Sequence, residues 1–395
     1  MSDESIVIVG ASRTPMGAML GNLSSLQATE LGANAIEGAV NQSEIERDKI
    51  DSVVMGCVLS AGLGQAPARQ AALGANLSEN TSSVTVNKMC GSGMQSIIQS
   101  HDSIKLGSHK IVVAGGLESM SNAPYLISKA RNGYRLGHGE IKDHMFLDGL
   151  EDAYDKGTLM GKFADEAADK YQFTREEQDE FAIESVKRAQ SAIKNNYFDD
   201  EITPVNVISR KSKTIVDTDE LPGKAKIDKI PELRPAFSKD GTVTAANASS
   251  ISDGAAAVIL MKELKAKELG LKPIARILGH SSHAQKPSEF TAAPVGAIEK
   301  LLEKINMKIN DFDIFEINEA FAVVTMIAMK ELSISHSKVN IFGGACALGH
   351  PIGASGTRIL ITLLNALKKK NKRTGLASLC IGGGEATAIA IERLN

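Results

Sequence analysis

Ser83-Val-Thr-Val-Asn-Lys-Met-Cys90-Gly-Ser-Gly-Met-Gln-Ser-Ile-Ile98 joins a short β-branched alternation to an amphipathic run. The alternation reads as a strand. Met94, Ile97, Ile98 and Ile104 keep helical spacing, and Gly107 supplies a stop. The turn between strand and helix therefore delivers Cys90 to a helix N-terminus. Unpaired backbone N–H groups and the positive end of the helix dipole favour thiolate there and are expected to lower the cysteine pKa. Gly91 and Gly93 leave the approach to the sulfur open. Taken alone, the stretch suits a small buried cysteine better than a nucleophile, by about two to one, and the rest of the chain reverses that reading.

Outward from this stretch, strands and helices alternate. Residues 6–9 form a continuous apolar run closed by Gly10, and Leu31, Ala35, Ile36 and Val40 share one helical face. Ser43-x-x-Glu46 resembles a capping box opening a further turn. Residues 49–56 and 110–116 read as strands and 67–77 as a helix, which predicts a mostly parallel sheet covered on both faces. The same order recurs later: strand 273–279, helix 294–304 and strand 311–318 are followed by 339–344, 353–369 and 376–384, which parallel 84–89, the Cys90 helix and 111–116. The chain thus reads as α/β, with two related βαβ-type halves. Residues 121–246 break the pattern with charges, loops and isolated helices such as 174–195, opened by Thr174-Arg-Glu-Glu177. The expected division is 1–120 with 247–272 as the first half, 121–246 as an inserted loop domain over a ligand site, and 273–395 as the second half.

Totals exclude several classes. The 395 residues carry 43% hydrophobic and 23% charged side chains with a net charge of −3, a soluble globular composition without the basic balance of a nucleic-acid binder. The basic cluster at 368–373 is local and reads as a solvated helix end. No apolar run reaches about eighteen residues, and the first residues carry neither a basic region nor an apolar core of a leader, so a cytoplasmic location is expected. Four cysteines without a Cys-x-x-Cys pair suit a reducing compartment and argue against a thiol oxidoreductase. Residues 157–162 fall one short of phosphate-loop spacing, and no dinucleotide glycine fingerprint follows the first strand. Cys346-x-x-x-His350 lacks further ligands at metal spacing, so no metal is expected.

Ligands of open α/β sheets bind beyond the carboxyl ends of strands. Those ends carry Cys90, Asn318, His350 and Cys380, able to supply a nucleophile, a base, a second acid/base and an anion-stabilising donor. Asn87-Lys-Met-Cys-Gly-Ser-Gly93, Gly241-Thr-Val-Thr-Ala-Ala-Asn-Ala-Ser249, Asn318-Glu-Ala-Phe-Ala322, Gly343-Gly-Ala-Cys-Ala-Leu-Gly-His-Pro-Ile-Gly-Ala-Ser-Gly356 and Cys380-Ile-Gly-Gly-Gly384 resemble the motifs of the thiolases, in order and nearly end to end. The resemblance implies a five-layered α-β-α-β-α core. It makes Cys90 the nucleophile that becomes a thioester, His350 its base, and Cys380 the acid/base acting on Cα of an incoming acetyl-CoA. Asn318, through a water, and the His350 ring would form one oxyanion hole, and the N–H groups of Cys90 and Gly382 the other.

The resemblance also places Leu233, Phe237, Ala245 and Ser249 along a pantetheine tunnel. Met160 keeps a short acyl pocket, and Phe290 replaces the methionine of many short-chain relatives. The activity implied is acetyl-CoA C-acetyltransferase, converting two acetyl-CoA into acetoacetyl-CoA and CoA, reversibly. A broad-chain 3-ketoacyl-CoA thiolase is the rival within the fold, and a non-catalytic acyl-CoA-binding protein the rival outside it. No cofactor beyond coenzyme A is implied, and a homotetramer of paired dimers is expected.

Overall fold

The computed structural model describes residues 5–208 and 213–394. Nine long strands form one sheet: β1 (Ile6–Arg13), β2 (Ser52–Gly56), β3 (Ser82–Val86), β4 (Ile111–Ser119), β5 (Ser252–Lys262), β6 (Ala275–Ala284), β7 (Ile314–Ile317), β8 (Thr374–Ile381) and β9 (Glu385–Arg393). Their order is β7-β8-β9-β6-β1-β5-β4-β2-β3, with the two-residue strand Gly17–Ala18 also paired to β5. Among the described residues, strand pairing joins the halves only where Val7 pairs with Arg276 and Ile8 with Ala275. A narrow seam thus joins two sheets.

The sheet is mixed, which corrects the mostly parallel expectation. β2 pairs parallel to β3 and β4, and β7 to β8, but β1–β5, β4–β5, β6–β9 and β8–β9 are antiparallel. The strands that the parallel reading leaves out are β5 and β9. A three-glycine turn, Gly382 to Gly384, is too short for a crossover, so β9 must run back along β8.

Helices α1 (Ala28–Ser43) and α2 (Pro67–Gly74) cover the outer face of the first half, where Val7, Val9, Val53 and Ile259 meet Leu31, Ile36 and Ala71. On the inner face Ile6, Ile8, Val112 and Leu260 meet α3 (Ser92–Lys105). The Cys90 helix and its counterpart pack between the two sheets. α4 (Met160–Tyr171) and α5 (Arg175–Lys194) come from the inserted segment, α6 (Ala293–Ile305) backs the outer face of the second half, α7 (Ala322–Glu331) follows β7, and α8 (Ser355–Lys369) is the counterpart. Every residue of α8 from Ser355 to Leu367 is buried. Its polar members are bonded instead of solvated: the Thr357 hydroxyl donates to Gly93 O at 2.8 Å and Asn365 Nδ2 to Glu201 at 2.8 Å.

Three local expectations change. β1 continues through a bulge between Ile8 and Gly10 to Arg13. Ser43 ends α1 instead of capping a turn; its hydroxyl donates to Val40 O at 2.9 Å. Residues 339–344 form no strand beyond a single parallel bridge of Val339 to Phe315; past it, Asn340 Oδ1 accepts from Ile317 N–H at 2.9 Å and its Nδ2 donates to Ile317 O at 2.8 Å. A side chain does there what a strand's backbone would do.

The inserted segment adds no described strand to the main sheet. Its helix α5 opens as expected, with the Thr174 hydroxyl accepting from Glu177 N–H at 3.1 Å and Glu177 accepting from Thr174 N–H at 2.8 Å. The segment is not a loose lid, because Val186, Ala189 and Ala192 enter the central core. Fully buried Arg13 ties β1 to it through Glu201 at 2.5 Å and Asp219 at 2.7 and 2.9 Å. Among the described residues no helix is long and apolar enough to cross a membrane.

Candidate active site

The turn after β3 is built from local hydrogen bonds. Ser92 Oγ accepts from Lys88 N–H at 2.8 Å and donates to Met89 O at 2.6 Å, and Met89 sits at φ +47°. Cys90 follows, half-buried. A Cβ on Gly91 would lie 2.3 Å from Ile381 Cδ1, so the glycine leaves room for the Ile381 side chain at the end of β8. That approach brings Cys380 and Gly382, from the second half, to the sulfur of the first. An ion pair between Lys88 and Glu385 spans the same junction.

His350 is set by its own loop. Gly349 has φ +96°, and a Cβ there would lie 2.0 Å from Ser252 Oγ. His350 N–H donates to Ser250 O at 3.0 Å, and Nδ1 lies 2.5 Å from Ser355 Oγ. The Ser355 hydroxyl donates to Pro351 O at 2.9 Å, so Nδ1 carries the proton that meets it. Nε2, which has no hydrogen-bond partner, is then a bare lone pair.

Cys90, His350, Cys380 and Gly382 line one cavity of about 530 Å³, together with Met160, Phe237, Ala245, Ser249 and Phe290. Two expected members stand outside it. Leu233 lines an adjoining cleft that shares Ala245 and Ser250 with the cavity. Asn318 is buried and does not reach the lining; its Oδ1 lies 3.4 Å from Arg358 Nη2 and its Nδ2 has no partner. Cys346 is buried, its sulfur 3.8 Å from Glu319 O. Cys57 is structural, directed at Glu118.

Electrostatics correct the expected thiolate. Burial pushes the Cys90 thiol up to about 11, although the N–H groups of Gly382 and of Cys90 itself pull the other way. Burial raises Cys380 well above the usual thiol range, with Cys90 adding to it. His350 is pushed down to about 3 by burial and the charge of Arg358. Two thiols and a neutral imidazole therefore share the resting cavity. Below its pKa a thiol gains about tenfold in thiolate per pH unit. Alkylation of Cys90 by iodoacetamide, followed by peptide mapping, should accordingly keep rising from about pH 7 to pH 9. A plateau below that range would mean a preformed thiolate–imidazolium pair.

Sequence reasoning missed the groups that hold these side chains. Glu118, at the end of β4, accepts N–H groups from Val58 at 3.0 Å, Leu59 at 3.1 Å and Gly353 at 2.9 Å, fastening the His350 loop to the first half. Burial raises its carboxyl to about 7 despite those donors. A charged residue closing an apolar strand is a signal that the strand-end rule could have flagged. Arg358 and Glu316, 3.8 Å apart and buried, had no such mark within their helix and strand. Ser355 orients His350, so Ser355→Ala should lower kcat roughly tenfold with little change in KM, and Ser355→Thr should recover part of the loss. Steady-state kinetics showing less than a twofold change would remove Ser355 from that role.

Comparisons with known proteins identify the family. Residues 6–264 match the family model described as thiolase, N-terminal domain, and residues 271–393 the one described as thiolase, C-terminal domain. A probable acetyl-CoA acetyltransferase of Dictyostelium discoideum is 51% identical over 99% of this chain and 94% of its own length. The acetyl-CoA acetyltransferase of Escherichia coli is 48% identical over 98% of this chain and 99% of its own. The crystal structure of Bacillus anthracis acetyl-CoA acetyltransferase superposes with a TM-score of 0.97 at 41% identity, covering 100% of both chains. An Ascaris suum thiolase in complex with coenzyme A gives 0.93 at 40% identity, covering 99% of this chain and 100% of its own. With both domains matched in order and a cysteine, a histidine and a second cysteine gathered from the two halves into one cavity, the chain belongs to the thiolase family.

Proposed function

We propose that this chain is an acetyl-CoA acetyltransferase, joining two acetyl-CoA into acetoacetyl-CoA and CoA and running the reaction in reverse. The observation that carries this reading is the shared cavity of Cys90, His350 and Cys380, with the Gly382 N–H directed at the Cys90 sulfur. Cys90 Sγ attacks the acetyl carbonyl while its proton passes to His350 Nε2. The carbonyl carbon–CoA sulfur bond breaks, and proton balance requires Cys380 to protonate the departing sulfur. The resulting Cys380 thiolate then removes a proton from Cα of the second acetyl-CoA. The carbanion attacks acetyl-Cys90, and Cys90 leaves with the proton held on His350. Because both thiols rest protonated, proton transfer must accompany bond making, with charge on the carbonyl oxygen met by fixed N–H groups of Cys90 and Gly382. The His350 ring and Asn318, the latter through water, serve the other oxyanion.

Coenzyme A enters past Ser249, Phe237 and Ala245, with Leu233 in the outer cleft, and no further cofactor or metal takes part. The acyl end is short in this reading, because Phe290 and Phe321, with ring centroids 6.3 Å apart, pack with Met160, Phe237 and Cys380. Thiolytic cleavage should favour acetoacetyl-CoA over 3-ketohexadecanoyl-CoA by about tenfold or more in kcat/KM. The reverse preference would assign the broad-chain activity instead. We further propose a homotetramer working in the cytoplasm. Among the described residues the outermost strand, β3, has no neighbour on one side, and its Val84 is 49% exposed, a sheet edge suited to a second copy.

A further inference from the structure

At the far end of α3 from Cys90, three side chains converge across the two halves. His101 and Asp102 belong to α3, and His280 to β6. His101 Nδ1 lies 2.9 Å from Asp102 Oδ1, His280 Nε2 lies 2.9 Å from the same oxygen, and the two nitrogens are 3.2 Å apart. The imidazole rings are nearly perpendicular, at 81°, with centroids 4.8 Å apart. Both rings are buried, whereas the Asp102 side chain is half exposed at the wall of an open cleft of about 810 Å³.

Protons fit this triangle poorly. If both nitrogens donate to Asp102, two N–H dipoles lie side by side at 3.2 Å; if only one does, a ring lone pair faces the carboxylate at 2.9 Å. A central cation meets all three lone pairs at once. Metal–ligand bonds of about 2.0–2.2 Å place neighbouring donor atoms about 2.9 Å apart in octahedral and about 3.3–3.4 Å apart in tetrahedral coordination, the range seen here.

We propose that His101 Nδ1, Asp102 Oδ1 and His280 Nε2 form a three-ligand site for a divalent transition-metal ion of the zinc, cobalt and nickel class, which clamps the first half to the second. Two imidazoles and one carboxylate suit that class over magnesium or calcium. The two-pair seam between β1 and β6 is the junction such a clamp reinforces. Lys105, Lys304 and Arg276 line the same cleft. Arg276 is paired with Glu263 and Glu392; the two lysines oppose a cation and set the affinity below that of a four-ligand structural zinc site.

The test titrates chelator-treated full-length protein with Co²⁺ and with Zn²⁺. One ion per chain is expected, with visible ligand-field bands, no thiolate-to-cobalt charge transfer, and a higher unfolding temperature in Zn²⁺ but not in Mg²⁺. Asp102→Asn and His280→Gln should each weaken uptake at least about tenfold while acetoacetyl-CoA cleavage stays at the wild-type level. The half-exposed Asp102 keeps the test valid if His280→Gln does not fold. Absence of uptake, uptake unchanged in both variants, or uptake lost when the cysteines are alkylated would each overturn the proposal.

Discussion

Cys90→Ser should lower both acetoacetyl-CoA synthesis and its thiolytic cleavage by about four orders of magnitude or more, the scale of losing a covalent nucleophile. The substitution keeps the side chain's size at the start of α3. A hydroxyl, however, must surrender a far less acidic proton than a thiol to the same base. His350 is a weak base here, held down to about 3 by burial and Arg358. It can serve a thiol whose attack is stabilised by nearby N–H groups, but it has little capacity left for an alcohol. Rates within about tenfold of wild type would show that the acyl group never resides on residue 90.

Cys380→Ser should produce a split result. Condensation should fall by about three orders of magnitude, within the range for losing a general acid or base, while Cys90 still becomes acetylated from acetyl-CoA, more slowly because the departing sulfur lacks its proton donor. Exchange of the acetyl Cα protons with solvent should vanish in the variant. The two cysteines are thereby separated by role: one carries the acyl group and the other moves protons. Normal proton exchange in Cys380→Ser would transfer that role to another group, and Glu118, whose carboxyl is raised to about 7, would be examined next.

Much of the site was legible because its chemistry sits in short glycine-containing motifs. Cys90 precedes Gly91, His350 follows Gly349 and Cys380 lies two residues before Gly382, and Gly91 and Gly349 hold positions where a Cβ would strike Ile381 or Ser252. The repeat of two halves was legible because α3 and α8 keep the same place relative to their strands. The mixed sheet was not, since alternation of elements along the chain does not encode direction. Residues 339–344 misled because Asn340 satisfies β7 with its side chain, which a run of strand-forming residues does not reveal. The thiol pKa was misjudged for a related reason. A helix N-terminus is visible in sequence, but the burial that outweighs it exists only once the two halves come together around the cavity. Glu118 carries a visible signal as a charge closing an apolar strand, but its partners Val58 and Gly353 are distant in sequence, whereas Ser355 lies five residues from His350 with nothing in the sequence to mark its hydroxyl as the partner of that ring.

The most direct test is mass spectrometry of the intact protein and its peptides after brief incubation with acetyl-CoA and acid quenching. One acetyl group per chain should appear, on the peptide containing Cys90, and should leave on addition of free CoA. An unmodified chain, or an acetyl group resident on Cys380 or Cys346 instead, would contradict the assignment of Cys90 as the residue that carries the acyl group.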